Sequence, residues 1–259
     1  MSVTIATWNV NSIRARLHAL LPWLEEVAPD VVCLQETKVQ DHEFPRTELE
    51  TLGYHAVFRG EKSYNGVAIL SKREIENVRS GFEDDGPADE ARLLCGEVGA
   101  IAILNTYVPQ GREPDHPAYA YKLEWFERLR ALLDFRFTQE TVLLWVGDLN
   151  VAPHDIDVWE PKRLLGHVCF NPQVTEALER VMAWGFVDVF RKHVPDPGHY
   201  TYYDYRTVAG VEEGKGWRID HILATRPLAA RSEAVWIDLG PRTGPKPSDH
   251  APLLARFAS

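Results

Sequence analysis

The sequence predicts an α/β protein in which two mixed β-sheets pack face to face and helices cover their outer faces. Three observations carry that expectation. Strand-like segments outnumber long amphipathic helices, a strand–helix–strand rhythm in the first half returns from residue 141 onward, and no Gly-rich turn marks a doubly wound parallel sheet. No Pro/Gly/Ser-rich linker divides the chain, so residues 1–259 are expected to form a single domain.

The elements follow from local pattern. Val3, Ile5 and Thr7 alternate with Thr4, Ala6 and Trp8 as in a strand, and Ile13, Leu17, Leu20, Leu21, Leu24 and Val27 then recur at helical spacing and stop before Pro29. Val31–Leu34 is a short apolar run suited to a buried strand. Further strands are expected at 54–58, 66–71, 91–98 and 100–108, and a helix along Leu123, Phe126, Leu129, Leu133 and Phe137. In the second half, Thr141–Val146 is a strand, and Val174, Leu178, Val181 and Met182 line a helix that leads into Asp188-Val189-Phe190. Strands are expected again at 200–205, 217–224, 234–239 and 252–257.

Composition excludes several classes. Lys and Arg number 28 against 38 Asp and Glu, a net charge of -10, which speaks against a non-specific polyanion binder. The balance is uneven: residues 191–259 carry a net +2 and residues 1–190 a net -12. Glu83-Asp84-Asp85 with Asp89-Glu90, among Gly81, Gly86 and Pro87, reads as a solvated loop. No apolar stretch is long enough to span a membrane, and the N-terminus has no signal-peptide pattern. Cys33, Cys95 and Cys169 are widely spaced in apolar surroundings, which suits small core residues in a cytoplasmic protein better than disulfides or structural zinc.

Several strands end in groups that chemistry uses. Asn9 and Asn11 close the first strand, Glu36 follows the second, and Asp148 and Asn150 follow Leu143–Val146, two apart and therefore on one side of an extended chain. Asp249 and His250 precede the last strand. Each has an ordinary alternative as a turn former, a helix-start acid or a structural histidine. Asp220 resists such a reading, because a carboxylate within a half-buried strand needs a donor or cation; His250 is the natural partner, and the pairing would raise the imidazole pKa. Acids, amides and one histidine without a nucleophilic Ser or Cys motif suit metal-assisted attack of water on a phosphodiester. Sparse oxygen donors favour Mg²⁺ over Zn²⁺.

The blocks Trp8-Asn9-Val10-Asn11, Gln35-Glu36-Thr37-Lys38, Tyr64-Asn65-Gly66, Tyr107-Val108-Pro109-Gln110-Gly111, Gly147-Asp148-Leu149-Asn150, Asp204-Tyr205-Arg206, Arg218-Ile219-Asp220 and Lys246-Pro247-Ser248-Asp249-His250 occur in that order along essentially the whole chain. In this the sequence resembles bacterial exonuclease III, the abasic-site endonuclease branch of the endonuclease/exonuclease/phosphatase superfamily. The resemblance implies a four-layer α/β-sandwich and Mg²⁺- or Mn²⁺-dependent hydrolysis of double-stranded DNA, 5′ to abasic sites and at 3′ ends, by a monomer without a membrane partner. It implies that Glu36 is the principal metal ligand with Asn9 beside it, and that Asp148, Asn150, Asp249 and His250 also face the metal. Asp148 would activate water with Asn150 as its amide partner, Tyr107 would lie against the scissile phosphate, and Asp220 would pair with His250. Gln110 and Arg206 are implied DNA contacts, and Lys38, Arg14, Tyr202, Tyr203 and Trp217 complete the expected DNA-facing set, with core packing the favoured alternative for Trp217.

Two departures stand out. Asn11 occupies a position where some relatives carry an acid, and Tyr200-Thr201-Tyr202-Tyr203 replaces Trp and Phe with a more polar aromatic run. Residues 157–163 receive no function from sequence. The rival readings are a same-fold phosphodiesterase or phosphatase acting on other substrates, which should lack the Q-E-T-K and Y-V-P-Q-G blocks, and a non-catalytic nucleic-acid-binding regulator, which would have no need of this side-chain set.

Overall fold

The computed structural model describes residues 2–84, 86, 90–205 and 210–258. Twelve strands lie among them, the third to the seventh following one another without an intervening helix. They are β1 (Ser2–Asn9), β2 (Val31–Gln35), β3 (His55–Arg59), β4 (Val67–Ser71), β5 (Glu76–Ser80), β6 (Leu93–Val98), β7 (Ile101–Tyr107), β8 (Leu143–Asp148), β9 (Phe186–Asp188), β10 (Asp220–Thr225), β11 (Ser232–Ile237) and β12 (Leu253–Ala258). The helices before β10 are α1 (Ile13–Val27), α2 (Arg46–Thr51), α3 (Pro117–Arg136), α4 (Pro161–Leu164), α5 (Pro172–Met182) and α6 (Val189–His193).

The strands form two six-stranded sheets, ordered β11-β12-β1-β2-β4-β3 and β5-β6-β7-β8-β10-β9. β1 pairs parallel with β2 across the long helix α1, and β7 pairs parallel with β8 across α3; the other recorded strand pairs are antiparallel. Parallel neighbours need a crossover, which here places one long helix on the outer face of each sheet.

Three cores make this a four-layer sandwich. Between the sheets, Ile5, Val31, Cys33 and Ile69 meet Ile103, Leu144, Val146 and Ile222. Outside the first sheet, Trp8, Val32 and Leu34 pack on Leu20, Trp23 and Leu24 of α1. Outside the second, Trp145 packs with Trp125, Leu129 and Leu133 of α3 and with Val174 and Leu178 of α5. Each such side chain contributes about 1.5–3 kcal/mol through burial. One polar bolt crosses the central layer. Gln35 Nε2 donates to Asn105 Oδ1 (2.7 Å), and Asn105 Nδ2 donates to the carbonyls of Leu34 (3.0 Å) and Ala68 (2.8 Å).

The structure departs from the sequence expectations in instructive places. β5 escapes pattern reading because its five residues are exposed and do not alternate. Residues 200–205 form isolated bridges from Tyr202 to Trp217 and to His250 rather than a strand. The strand expected from Trp217 begins only at Asp220, because the Arg218 amide is drawn to the Asp157 carbonyl (2.9 Å). After Asp188 the chain turns into α6, and the Asp188 carboxylate accepts from the Arg191 amide as an N-cap. The acidic cluster is tethered: Arg128 forks onto Asp84 (2.9 and 2.6 Å), and Arg136 pairs with Glu83. Asp85 and Asp89 lie outside the described residues. All three cysteines are free and buried, as expected.

Candidate active site

Strand register brings the polar strand ends to one edge of the sandwich. Asn9 pairs with Gln35 across the parallel β1/β2 ladder, which leaves Glu36 just beyond it. In the other sheet, Asp148 pairs with Tyr107 on one side and with Asp220 on the other. A single side chain then joins the sheets: Asn9 Nδ2 donates to Glu36 Oε1 (2.8 Å) and to Asp148 Oδ2 (2.9 Å). The loop before β12 closes over this edge. Ser248 Oγ donates to the Asn9 carbonyl (2.6 Å), and Trp8 Nε1 donates to the His250 carbonyl (3.1 Å).

The backbone here is bent into conformations that side chains seldom adopt. Asn11, Glu36, Lys38 and Asn150 all have positive φ, at 44°, 51°, 53° and 50°. Such geometry costs about 1–3 kcal/mol per residue and persists where the surroundings enforce it. Gly147, at φ 140°, is indispensable for another reason: a Cβ there would lie 1.8 Å from the Thr106 carbonyl oxygen. The close approach of β8 to β7 thus fixes where Asp148 emerges. Asn150 does not share an extended face with Asp148; the Asp148 carboxylate accepts from the Asn150 amide (2.9 Å) and closes a turn. Asn150 Nδ2 donates to the Val108 carbonyl (3.0 Å).

Charge is out of balance at this edge. Burial, with help from Asp220 and Glu36, drives Asp148 up to about 7, although His250 and Asn9 pull the other way. Burial alone would lower His250, but Asp220 and Asp148 beside it raise it to about 10. His250 Nδ1 lies 2.8 Å from Asp220 Oδ2, and Nε2 lies 3.7 Å from Asp148 Oδ2. The expected Asp220–His250 pair is therefore formed. Glu36 is brought below its usual range, burial notwithstanding, by Lys38 (2.6 Å) and Asn9. The Tyr107 phenol is pushed well above its range by burial and then by Glu36 and Asp148, so it stays protonated and able to donate.

A cavity of about 410 Å³ opens onto these groups. Glu36, Tyr107, Gln110, Asp148, Asn150, Asp249 and His250 line its floor, and Tyr202, Trp217, His167, Trp159, Arg163 and Lys215 its far wall. A larger groove of about 840 Å³, beside β5 and the end of α3, contains none of the candidate acids. Trp217 is half-buried, with its ring 4.7 Å from His167; it lines the cavity and also packs against the buried clusters behind it, as core packing would have it. Residues 157–163, silent in sequence, bring Trp159 and Arg163 to the same wall.

Other expected positions fall elsewhere. Tyr203 is buried at 4% exposure against Tyr200 and Arg242, away from the cavity that Tyr202 lines. Arg14 is exposed beside Glu43 in a separate groove. Lys38 turns inward to Glu36 Oε2 and to Asn11 Oδ1 (2.6 Å) instead of outward. Asp249 Oδ1 accepts from Asn11 Nδ2 (3.0 Å). Arg206 lies outside the described residues. Sequence reading missed Gln35, whose place in the Q-E-T-K block was the available signal, its partner Asn105, and Lys122, a lysine on the apolar stripe of α3.

The donor set suits a hard divalent cation. Asp148, Asp220 and His250 each place a ligating atom within 4.8 Å of the others. His250 Nδ1 is taken up by Asp220 Oδ2 (2.8 Å), so only Nε2, 3.7 Å from Asp148 Oδ2, is left to face a cation. The oxygen donors fit better. Glu36, Asp148, Asp220 and Asp249 outnumber the nearby cations Lys38 and His250, and Asp220 Oδ1 is buried without a hydrogen-bond partner. A site that cannot ionise Asp148 freely at neutral pH calls for added positive charge.

Comparison with known proteins agrees with this geometry. The Endonuclease/Exonuclease/phosphatase family model matches residues 6–250. Exodeoxyribonuclease III of Haemophilus influenzae is 36% identical over 97% of this chain and 98% of its own, and the exodeoxyribonuclease of Bacillus subtilis is 32% identical over 96% and 97%. Among solved structures, an AP endonuclease from Archaeoglobus fulgidus superposes with a TM-score of 0.97 at 48% identity, covering 99% of this chain and all 100% of that one. A Neisseria 3′ phosphatase bound to a product DNA hairpin does so with a TM-score of 0.94 at 33% identity, over 99% and 100%. The acids, amides and histidine gathered at the sheet edge therefore stand in a chain that belongs to the Endonuclease/Exonuclease/phosphatase family.

Proposed function

We propose that this protein is a DNA-repair nuclease that hydrolyses phosphodiesters of duplex DNA, 5′ to abasic sites and at 3′ ends, with Mg²⁺ as its working ion and Mn²⁺ as a substitute. The observation that carries the reading is the convergence of Glu36 and Asp148, borne on different sheets, upon the one amide of Asn9. Names of the similar proteins support it: an exodeoxyribonuclease III, an AP endonuclease and a 3′ phosphatase seated on DNA.

Glu36 would hold the ion, with Asn9, Asp148 and Asp249 near it. The bound ion supplies positive charge that lowers the phosphate's repulsion of an incoming water and eases loss of the leaving oxygen. Asp148, raised toward neutrality, is poised to accept a proton from the attacking water. As the water oxygen bonds to phosphorus, the opposite P–O bond breaks. Charge gathers on the non-bridging oxygens, where the protonated His250 and the Tyr107 phenol donate. Asp220 holds the imidazolium in place, and Asn150 fixes the Asp148 carboxylate through its own backbone amide. Gln110, Tyr202 and Trp217, which line the cavity, would face the DNA.

The reading extends to a monomeric, single-domain cytoplasmic enzyme. β1 and β12, from opposite ends of the chain, pair in one sheet, and the three cysteines remain free. The deciding experiment is a labelled duplex with one abasic analogue, incubated with Mg²⁺ or EDTA, beside Asp148→Asn. Incision is expected with Mg²⁺ alone and only in the wild type. A wild type that ignores DNA yet hydrolyses a phospholipid headgroup would establish the phosphodiesterase alternative.

A further inference from the structure

Lys122 is one of the most completely buried side chains of the protein, at 0% exposure, although lysine is the residue least often found inside. It sits on the inner face of α3, in the stripe of Tyr119, Trp125, Phe126 and Leu129. Its ammonium donates to three backbone carbonyls: Gln110 (3.2 Å), Asn150 (2.8 Å) and Val168 (3.0 Å). Those carbonyls belong to three loops that are far apart in sequence and share one destination. Gln110 and Asn150 line the catalytic cavity, and Val168 lies between His167 and Cys169, which line it too.

We infer that Lys122 is a positioning residue that locks the three cavity loops into mutual register and thereby aims Asn150 and the Asp148 turn at the substrate phosphate. An ammonium is the side-chain group suited to the task. It carries three donors at the tip of a slim apolar stem, whereas a carboxamide has two and a guanidinium is a broad planar fork. An apolar residue would leave three buried carbonyls short of a partner, which a folded protein tolerates poorly. The fit around the stem is close. Gly111, at φ 92°, passes over it where a Cβ would stand 3.2 Å from Lys122 Cδ and 3.0 Å from Val168 Cγ2. The final glycine of Y-V-P-Q-G and the buried lysine are thus two sides of one contact. Neighbouring bonds close the cluster: Asn150 Nδ2 to the Val108 carbonyl (3.0 Å), and the Ala152 amide to the Cys169 carbonyl (2.8 Å).

The inference rests on the nuclease reading, and the two fail differently: an inactive wild type defeats that reading, whereas an active wild type matched by its Lys122 variant defeats only this one. The test compares Lys122→Met with wild type in single-turnover and steady-state incision of an abasic duplex. Saturating Mg²⁺ is used, at a temperature well below both melting points. The expected result is a kcat at least tenfold lower per folded molecule with KM changed less than threefold, since the DNA-facing side chains remain. Lys122→Arg, which keeps donors but not their geometry, should recover only part of the loss. A merely structural lysine would lower the melting point and leave kcat intact; an unchanged kcat in Lys122→Met would overturn the proposal. If Lys122→Met does not fold, hydrogen exchange on the wild type decides. The amides of Leu149, Ala152 and Phe170, around the lysine, should open as one cooperative unit, and independent opening would overturn it.

Discussion

Asp148 and Asp157 stand nine positions apart, both buried, at 1% and 0% exposure, and they behave as opposites. Asp157 is gripped by two guanidiniums. Arg218 Nε lies 2.6 Å away, Arg191 forks onto the same oxygen, and Arg218 also pairs with Asp188 (2.8 Å). Burial would raise Asp157, yet Arg218 and Arg191 hold it below its ordinary value. Asp148 has neutral donors from Asn9 and Asn150 and an imidazolium only at 3.7 Å, and it rises to about 7. The difference separates scaffold from site. Where charges are matched, the fold is being held; where acids are left in excess, the fold holds open a place for a cation and a phosphate.

Breaking the comparison at Asp148 should have the largest effect, and it falls on rate. Asp148→Asn keeps the shape and removes the proton acceptor, so incision should drop roughly 10²–10⁴-fold, as read from kcat/KM on an abasic duplex. Retained activity would mean that another group takes the proton. At Asp157 the effect moves to stability. Asp157→Asn leaves Arg218 and Arg191 buried without their anion and should cost about 3–5 kcal/mol, seen as a loss of roughly 10 °C in melting temperature. A mild loss would show that Asp188 alone neutralises the pair.

The comparison sharpens when Asp148→Asn is followed as stability against pH, in EDTA. A carboxyl whose folded pKa is raised from 3.8 to about 7 binds its proton more tightly in the folded state. Ionising it therefore costs stability progressively from near pH 4 to near pH 7, and the full penalty stands above that. Asp148→Asn escapes the penalty. It should be more stable than wild type at pH 8, by about 4 kcal/mol at roughly 1.36 kcal/mol per pKa unit, and match it near pH 4. A variant less stable than wild type at pH 8 would remove the claim that this site is a charge conflict.

How much of this was legible in the sequence depends on whether a feature is local. β1, β2, β8 and β12 were readable because alternation or an apolar run is written into consecutive residues, and Glu36, Asp148, Asp220 and His250 because each follows, interrupts or precedes such a run. β5 was not, since an exposed edge strand has no buried face to impose a pattern. The Asp157–Arg218–Arg191 cluster joins residues separated by 34 and 61 positions, and nothing in either neighbourhood announces the other. Tyr202 and Tyr203 are neighbours in sequence that part in the fold, one lining the cavity and the other buried against Tyr200. Lys122 sits at helical spacing from Tyr119 and Phe126, and its burial became legible only once three loops were seen to end on it.

The smallest effect concerns the one ion pair that the site shares with the scaffold style of Asp157. Asp220 gives His250 a short, buried contact at 2.8 Å and, with Asp148, lifts it from 6.5 to about 10. Because the folded pKa is the higher one, the stabilisation from the protonated pair is complete below about pH 6.5 and is lost as pH rises toward 10. Asp220→Asn removes the partner. The stability gap between wild type and Asp220→Asn should therefore be widest near pH 6, at about 1.5–3 kcal/mol for a charge-assisted hydrogen bond, and close by pH 10. Chemical denaturation in EDTA at four or five pH values measures it. A gap that stays constant from pH 6 to pH 10 would mean that Asp220 orients a neutral ring. The positive charge assigned to the phosphate's side of the site would then have to come from Lys38 or the bound ion, and Asp148 would be isolated more completely than its contrast with Asp157 already implies.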